Sequence, residues 1–67
     1  MNKIAGYRKM LGKTQDSMAE EFGISTQSYR MKENGKTNFN INEMTLFRDM
    51  LRKKLFPKIT IDEIFFS

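Results

Sequence analysis

The chain has 67 residues, no cysteine, no histidine and a formal net charge of +4 from 12 basic and 8 acidic side chains. A chain of this length forms one thin core, so we expect residues 1–67 to be a single domain without disulfides or a thiolate metal site. The shortage of acid–base and nucleophilic groups predicts that the protein is not an enzyme, and we expect no cofactor, metal or small-molecule ligand. Its longest apolar run, residues 64–66, cannot cross a membrane, and the amino-terminal residues lack the apolar core of a secretory signal, so we expect a cytoplasmic protein.

The first helix is predicted from the spacing of residues on one helix face and from the residues at its two ends. The face repeats at three- and four-residue spacing in Ile4, Tyr7, Arg8 and Leu11. Asn2 is a suitable N-cap, and Gly12 is suited to end the helix.

The second helix is predicted to begin after Thr14, another capping residue. Its inner face would be Met18, Ala19 and Phe22, with the small Ala19 allowing a crossing helix to approach closely. Gly23 supplies the left-handed backbone conformation that ends a helix at low cost.

A third helix is predicted to follow at once, which makes a helix-turn-helix pattern. Ile24 fills the corner between the two helices, and Ser25 caps the third helix. Tyr29 is expected to be a half-buried residue of this helix, which ends at Asn34 and Gly35.

The fourth helix is predicted from Ile41 to about Lys54, and Asn40 with Glu43 forms a capping-box-like pair at its start. Its inner face is expected to contain Met44, Phe47, Leu51 and Leu55. Pro57 prevents the helix from continuing.

The tail, residues 59–66, has two competing interpretations. Its first three residues alternate between apolar and polar, which favours a strand. Thr60 with Glu63 three residues later favours a fifth short helix capped by Thr60. We favour the helix, because a single strand would have no partner within the chain.

These elements together predict an all-α protein, a compact bundle of four to five short helices. The run from Thr14 to Lys36, with Gly23, Ser25 and Glu33 in register, resembles the helix-turn-helix family of phage repressors and Cro proteins, and the similarity extends to nearly the whole chain. The resemblance implies a DNA-binding transcriptional regulator whose second helix crosses the DNA backbone and whose third helix enters the major groove. The partner would be a double-stranded DNA operator, bound by a homodimer as in the family.

The resemblance also implies roles for particular residues. The positions that would read bases are Thr26, Gln27, Ser28, Arg30 and Met31, and Gln27 is the best candidate because an amide can bond two atoms of adenine. Arg30 could reach either guanine or a phosphate. The positions that would contact phosphates are Gln15, Ser25, Asn34, Lys36 and Thr37. Arg8 and Glu33 match a pair that forms a structural salt bridge between the first and third helices.

Other side chains leave a second function open. Lys32 stands where relatives carry a large apolar residue, and we expect its stem to pack while its amine reaches solvent. A basic patch on the fourth helix, which we expect to be solvated or to make a second DNA contact, contains Arg48, Arg52, Lys53 and Lys54. Apolar residues that would form a protein interface or complete the core are Leu46, Met50, Phe65 and Phe66. The alternative hypothesis is therefore an antirepressor-like modulator that uses the same fold to bind a partner phage repressor.

Overall fold

The computed structural model describes residues 2–67, which form five helices without any strand. Met1, the first residue of the domain predicted over residues 1–67, lies outside the described residues. The helices are α1 (Lys3–Met10), α2 (Gln15–Phe22), α3 (Thr26–Glu33), α4 (Ile41–Lys54) and α5 (Asp62–Phe66), the last being one short helix of the π type. The predicted all-α bundle is confirmed, and the tail is helical rather than extended.

Each of the first four helices begins at the capping residue predicted from the sequence. The side-chain oxygens of Asn2, Thr14 and Ser25 each accept a backbone N–H three residues later, at 3.1 Å. Asn40 does the same at 2.8 Å, and the Glu43 carboxylate accepts the Asn40 N–H at 2.9 Å, which completes a capping box. Since one cap typically contributes about 1 kcal/mol, these short helices gain much of their local stability at their ends.

The turn between α2 and α3 depends on the backbone conformation of Gly23. This residue has φ of 69° in the left-handed region, and the Ile24 N–H then bonds the Ala19 carbonyl at 3.0 Å. A Cβ at Gly23 would meet no atom within 4 Å, so glycine is required for its φ angle rather than for space. The angle at which α3 leaves α2 is therefore fixed by this residue.

The core is a small aromatic and aliphatic cluster beneath α3. Its fully buried side chains are Tyr29, Phe47, Met18, Leu51 and Ile64. Phe22 packs against it as predicted, and so does Phe39; Phe22 lies 5.7 Å from Tyr29 between ring centroids in an edge-to-face arrangement. Such pairs add stability beyond the area they bury, which matters in so thin a core.

Two burial predictions on individual residues are wrong. Tyr29 is completely buried rather than half-buried, because the rings of Phe22 and Phe39 both pack against its ring within the core cluster. Leu55 is 41% exposed, because α4 ends at Lys54. The backbone of Leu55 has φ of −133° and is no longer helical, so its side chain does not continue the inner face of α4. Ile59, beyond the Pro57 turn, is buried in the core instead.

Within residues 2–67, no helix has the length and apolar character needed to cross a membrane.

Tyr29 generates a prediction about stability at alkaline pH. Its hydroxyl is buried without a hydrogen-bond partner among the described residues. Burial raises the pKa of Tyr29 above the ordinary value of 10.0, and the nearby Glu33 carboxylate raises it further. Above about pH 10 the unfolded state then binds fewer protons than the folded state, so the free energy of unfolding falls as pH rises.

Tyr29→Phe should remove the part of the alkaline decrease in the free energy of unfolding that comes from ionisation of Tyr29. Urea unfolding at neutral pH and near pH 11 would measure it, with Tyr7→Phe as a matched loss of another hydroxyl. At neutral pH Tyr29→Phe should be at least as stable as the wild type, because an unpaired buried hydroxyl is removed. An equal alkaline decline in Tyr29→Phe and the wild type would contradict the prediction.

Candidate nucleic-acid interface

The Glu33 carboxylate at the end of α3 is buried and tied to α1. Arg8 Nε donates to Glu33 Oε1 at 3.1 Å and to Oε2 at 3.2 Å, and the two side chains are 12% and 2% exposed. Arg8 Nη1 also donates to the Lys13 carbonyl at 2.9 Å. Asn2 Nδ2 donates to the Glu33 carbonyl at 2.8 Å, so this N-cap side chain also holds the last turn of α3. The sequence identified Asn2 only as a cap, because no local pattern indicates a bond between residues 31 positions apart.

Gln15 links this buried acid to the surface of α3. Its Nε2 donates to Glu33 Oε2 at 3.1 Å, and its Oε1 accepts from Arg30 Nε at 3.1 Å. The first residue of α2 is therefore bonded both to the buried side and to the exposed side of α3. The Gln15–Arg30 bond has no signal in sequence spacing, because it joins two helices.

Lys32, the neighbour of Glu33, ties the end of α3 to α4. Its ammonium forms an ion pair with Glu43 at 3.0 Å and donates to the Asn38 carbonyl at 3.0 Å. The side chains of Lys32 and Glu43 are 17% and 9% exposed, so the expectation that the Lys32 amine reaches solvent is wrong. No pattern in the sequence indicated this ion pair, because it joins α3 to α4.

The predicted base-reading residues lie on the exposed side of α3. Gln27, Ser28, Arg30 and Met31 are exposed, and Thr26 is partly exposed. Because successive residues turn by about 100° around a helix, Gln27 and Met31 point away from the buried Tyr29 and Glu33. The face of α3 opposite the core is thus open to a ligand and carries amide, hydroxyl, methyl and thioether groups.

The predicted phosphate-contacting residues lie beside the two ends of this face. Ser25 is exposed before α3 and Gln15 is half-buried at the start of α2, while Asn34, Lys36 and Thr37 are exposed after α3. The backbone N–H groups of Lys36 and Thr37 are bonded to the Met31 carbonyl at 2.9 and 3.4 Å. Contacts from this loop to a phosphate would therefore come from side chains rather than from the N–H groups of the helix end.

The residues predicted to form a protein interface differ in how far they are buried. Met50 and Phe65 are half-buried and pack against the core, with Phe65 5.2 Å from Phe39 between ring centroids. Leu46 is half-buried on α4, and Phe66 is 69% exposed. Phe66 is thus the one member of this set whose side chain lies mostly in solvent.

Half of the predicted basic patch on α4 is occupied by contacts within the protein. Arg48 pairs with its neighbour Asp49 at 3.0 Å, and Arg52 Nε donates to the Ile59 carbonyl at 2.7 Å. The Arg52 bond holds the turn that returns the chain to the core. Lys53 and Lys54 remain exposed.

Comparison with known proteins agrees with this geometry. The profile of the helix-turn-helix family matches residues 4–55, which include α2, α3 and α4. The chain belongs to this helix-turn-helix family, of the phage repressor type.

One similar protein is the cryptic phage CTXphi transcriptional repressor RstR of Vibrio cholerae serotype O1 (strain ATCC 39315 / El Tor Inaba N16961). It is 36% identical over 62 residues, which cover 92% of this chain and 50% of RstR. The chain therefore spans about half the length of that relative. No solved structure matches the chain.

The Arg8–Glu33 ion pair generates a prediction about stability. Arg8→Ala would leave the buried Glu33 carboxylate with Gln15 as its remaining side-chain donor, and such losses cost about 3–5 kcal/mol. We expect a large decrease in the free energy of unfolding, measured by urea denaturation. Lys9→Ala removes an exposed cation from the same helix and is the matched control. If Arg8→Ala costs no more than Lys9→Ala, the pair does not hold α3.

Proposed function

We propose that this protein is a sequence-specific DNA-binding transcriptional regulator that places α3 in the major groove. The observation that carries the proposal is the exposed face of α3. The helix that bears this face is held in place by two ion pairs, Arg8–Glu33 and Lys32–Glu43. A helix held in this way can enter a groove without first losing conformational freedom. The family assignment and the name of the RstR relative, a transcriptional repressor, support the same function.

Base recognition would centre on Gln27. An exposed glutamine on a helix in the major groove can accept from N6 and donate to N7 of one adenine. Thr26 would offer a hydroxyl or a methyl group, and Ser28 a hydroxyl. Met31 would make apolar contact with thymine methyl groups, because a thioether has no donor.

Phosphate contacts would fix the register of α3 on the duplex. Gln15 and Ser25 would contact one strand near the start of α3, and the side chains of Asn34, Lys36 and Thr37 would contact phosphates near its end. In the family, two copies bind half-sites about one helical turn apart, and we propose the same arrangement for a homodimer of this protein.

A second function, as a modulator that binds a partner repressor protein, is favoured by one observation. Phe66 is 69% exposed at the surface of α5, outside the family-matched segment. A large exposed apolar side chain is suited to a protein contact.

Gln27→Ala tests the base-reading role. A bidentate amide–adenine contact contributes about 1–3 kcal/mol of discrimination, so operator affinity should fall roughly 5- to 150-fold. Binding titrations on DNA flanking the gene, against excess random duplex, would measure this loss. Met10→Ala, an uncharged change at a residue that is 57% exposed on α1, is the control. Unchanged operator affinity in Gln27→Ala would show that this residue does not read a base.

Phe66→Asp separates the two functions. A regulator that binds DNA alone should keep its affinity for DNA, apart from a small loss from the added negative charge. A modulator should lose its effect on an adjacent repressor while the free energy of unfolding changes little, because the ring is exposed. Titrations with and without that repressor would decide between them, and full retention of the repressor effect would exclude Phe66 from a protein interface.

A further inference from the structure

We propose that Arg30 does not read a base but binds a DNA phosphate together with Gln15, in a clamp whose geometry is set by Glu33. This inference rests on the proposed DNA-binding function and assigns a different target to one of its residues. From the sequence, Arg30 was expected near the base-reading positions, with either guanine or a phosphate as its target.

Glu33 determines the orientation of the Gln15 amide. An ionised carboxylate only accepts hydrogen bonds, so the amide must turn its NH₂ group towards Glu33. Gln15 Nε2 donates to Glu33 Oε2 at 3.1 Å, and Glu33 is 4% exposed. The amide oxygen is consequently directed towards Arg30.

The Arg30 guanidinium is in turn held by Gln15. Its Nε donates to Gln15 Oε1 at 3.1 Å, which leaves the terminal Nη groups and the second hydrogen of Gln15 Nε2 as donors. A fixed guanidinium fork matches two oxygens of one phosphate. Arg30 and Gln15 therefore provide a pre-arranged set of donors for one anion.

The charges around the clamp differ in whether they are neutralised. Arg8 and Glu33 neutralise each other in their ion pair. Within residues 2–67 Arg30 forms no ion pair, although Asp16 follows Gln15 on α2. The positive charge of Arg30 is therefore left for an external anion.

The bond to Gln15 also determines the direction of the Arg30 side chain. Arg30 is about 100° from Met31 around α3 and is bonded to the first residue of α2. In a helix-turn-helix protein α2 crosses the DNA backbone, while the outward face of α3 meets the bases. An Arg30 side chain that keeps its bond to Gln15 is thus directed at the backbone rather than at the floor of the groove.

The test begins with an operator selected from a random duplex library by the wild-type protein. Failure to enrich any sequence would count against the proposed function, whatever the role of Arg30. With the operator in hand, titrations at several salt concentrations would compare Arg30→Gln, Arg30→Lys, Gln15→Ala and the Gln15→Ala/Arg30→Gln double variant. Gln27→Ala is the control for a base-reading residue, and thermal unfolding would show that each variant is folded.

Arg30→Gln should weaken binding to operator and to random duplex by the same factor, about tenfold. The slope of log affinity against log salt should become shallower by about 0.9, the value for one phosphate. Base preference should be unchanged at every operator position, and the double variant should lose less than the product of the single losses. Replacing operator phosphates one at a time with uncharged methylphosphonates should reveal one site that weakens the wild type clearly more than it weakens Arg30→Gln.

Arg30→Lys should keep most of the salt slope but lose affinity, because an ammonium lacks the planar fork that bonds Gln15 through one nitrogen and two phosphate oxygens through the others. Relaxed preference at one base pair in Arg30→Gln, with an unchanged salt slope, would show that Arg30 reads a base. Full affinity in Arg30→Lys would show that the guanidinium fork is not needed, and additive losses in the double variant would show that the bond to Gln15 plays no part. Any of these three results would overturn the clamp.

Discussion

The structure depends on the buried carboxylate of Glu33. Removing a charge from water is costly unless donors surround it, and Glu33 receives two bonds from Arg8 on α1 and one from Gln15 on α2. Three helices must therefore meet at one point for the charge to be tolerated. Because Glu33 is the last residue of α3, this requirement also fixes the orientation of the helix whose opposite face is exposed.

A second buried ion pair complements the first. Lys32, next to Glu33 along the chain, pairs with Glu43 at the start of α4 and also bonds the Asn38 carbonyl. The end of α3 is thereby held from two directions, by α1 and α2 through one residue and by α4 through its neighbour. In a domain with so few fully buried side chains, these polar contacts supply an orientation that apolar packing alone would specify less narrowly.

The sequence predicted what depends on neighbours along the chain. The N-caps, the capping box of Asn40 and Glu43, and the left-handed Gly23 each follow from residues within one helical turn. The Gln15–Arg30 and Lys32–Glu43 bonds could not be predicted in this way, because each joins helices whose relative placement is set by the whole fold. Leu55 was misplaced because periodicity does not show where a helix loses its regular geometry.

If Arg30 belongs to the backbone contacts, base recognition by one copy is slight. Gln27 is then the one predicted reading residue able to make a bidentate contact, and such a contact contributes about 1–3 kcal/mol of discrimination. Regulators must distinguish their operator from roughly 10⁶–10⁹ competing sites, which requires several times that energy. Two copies on adjacent half-sites would add their separate contributions, since well-separated base contacts are approximately additive. The modest reading face of α3 therefore supports the proposed use of two half-sites.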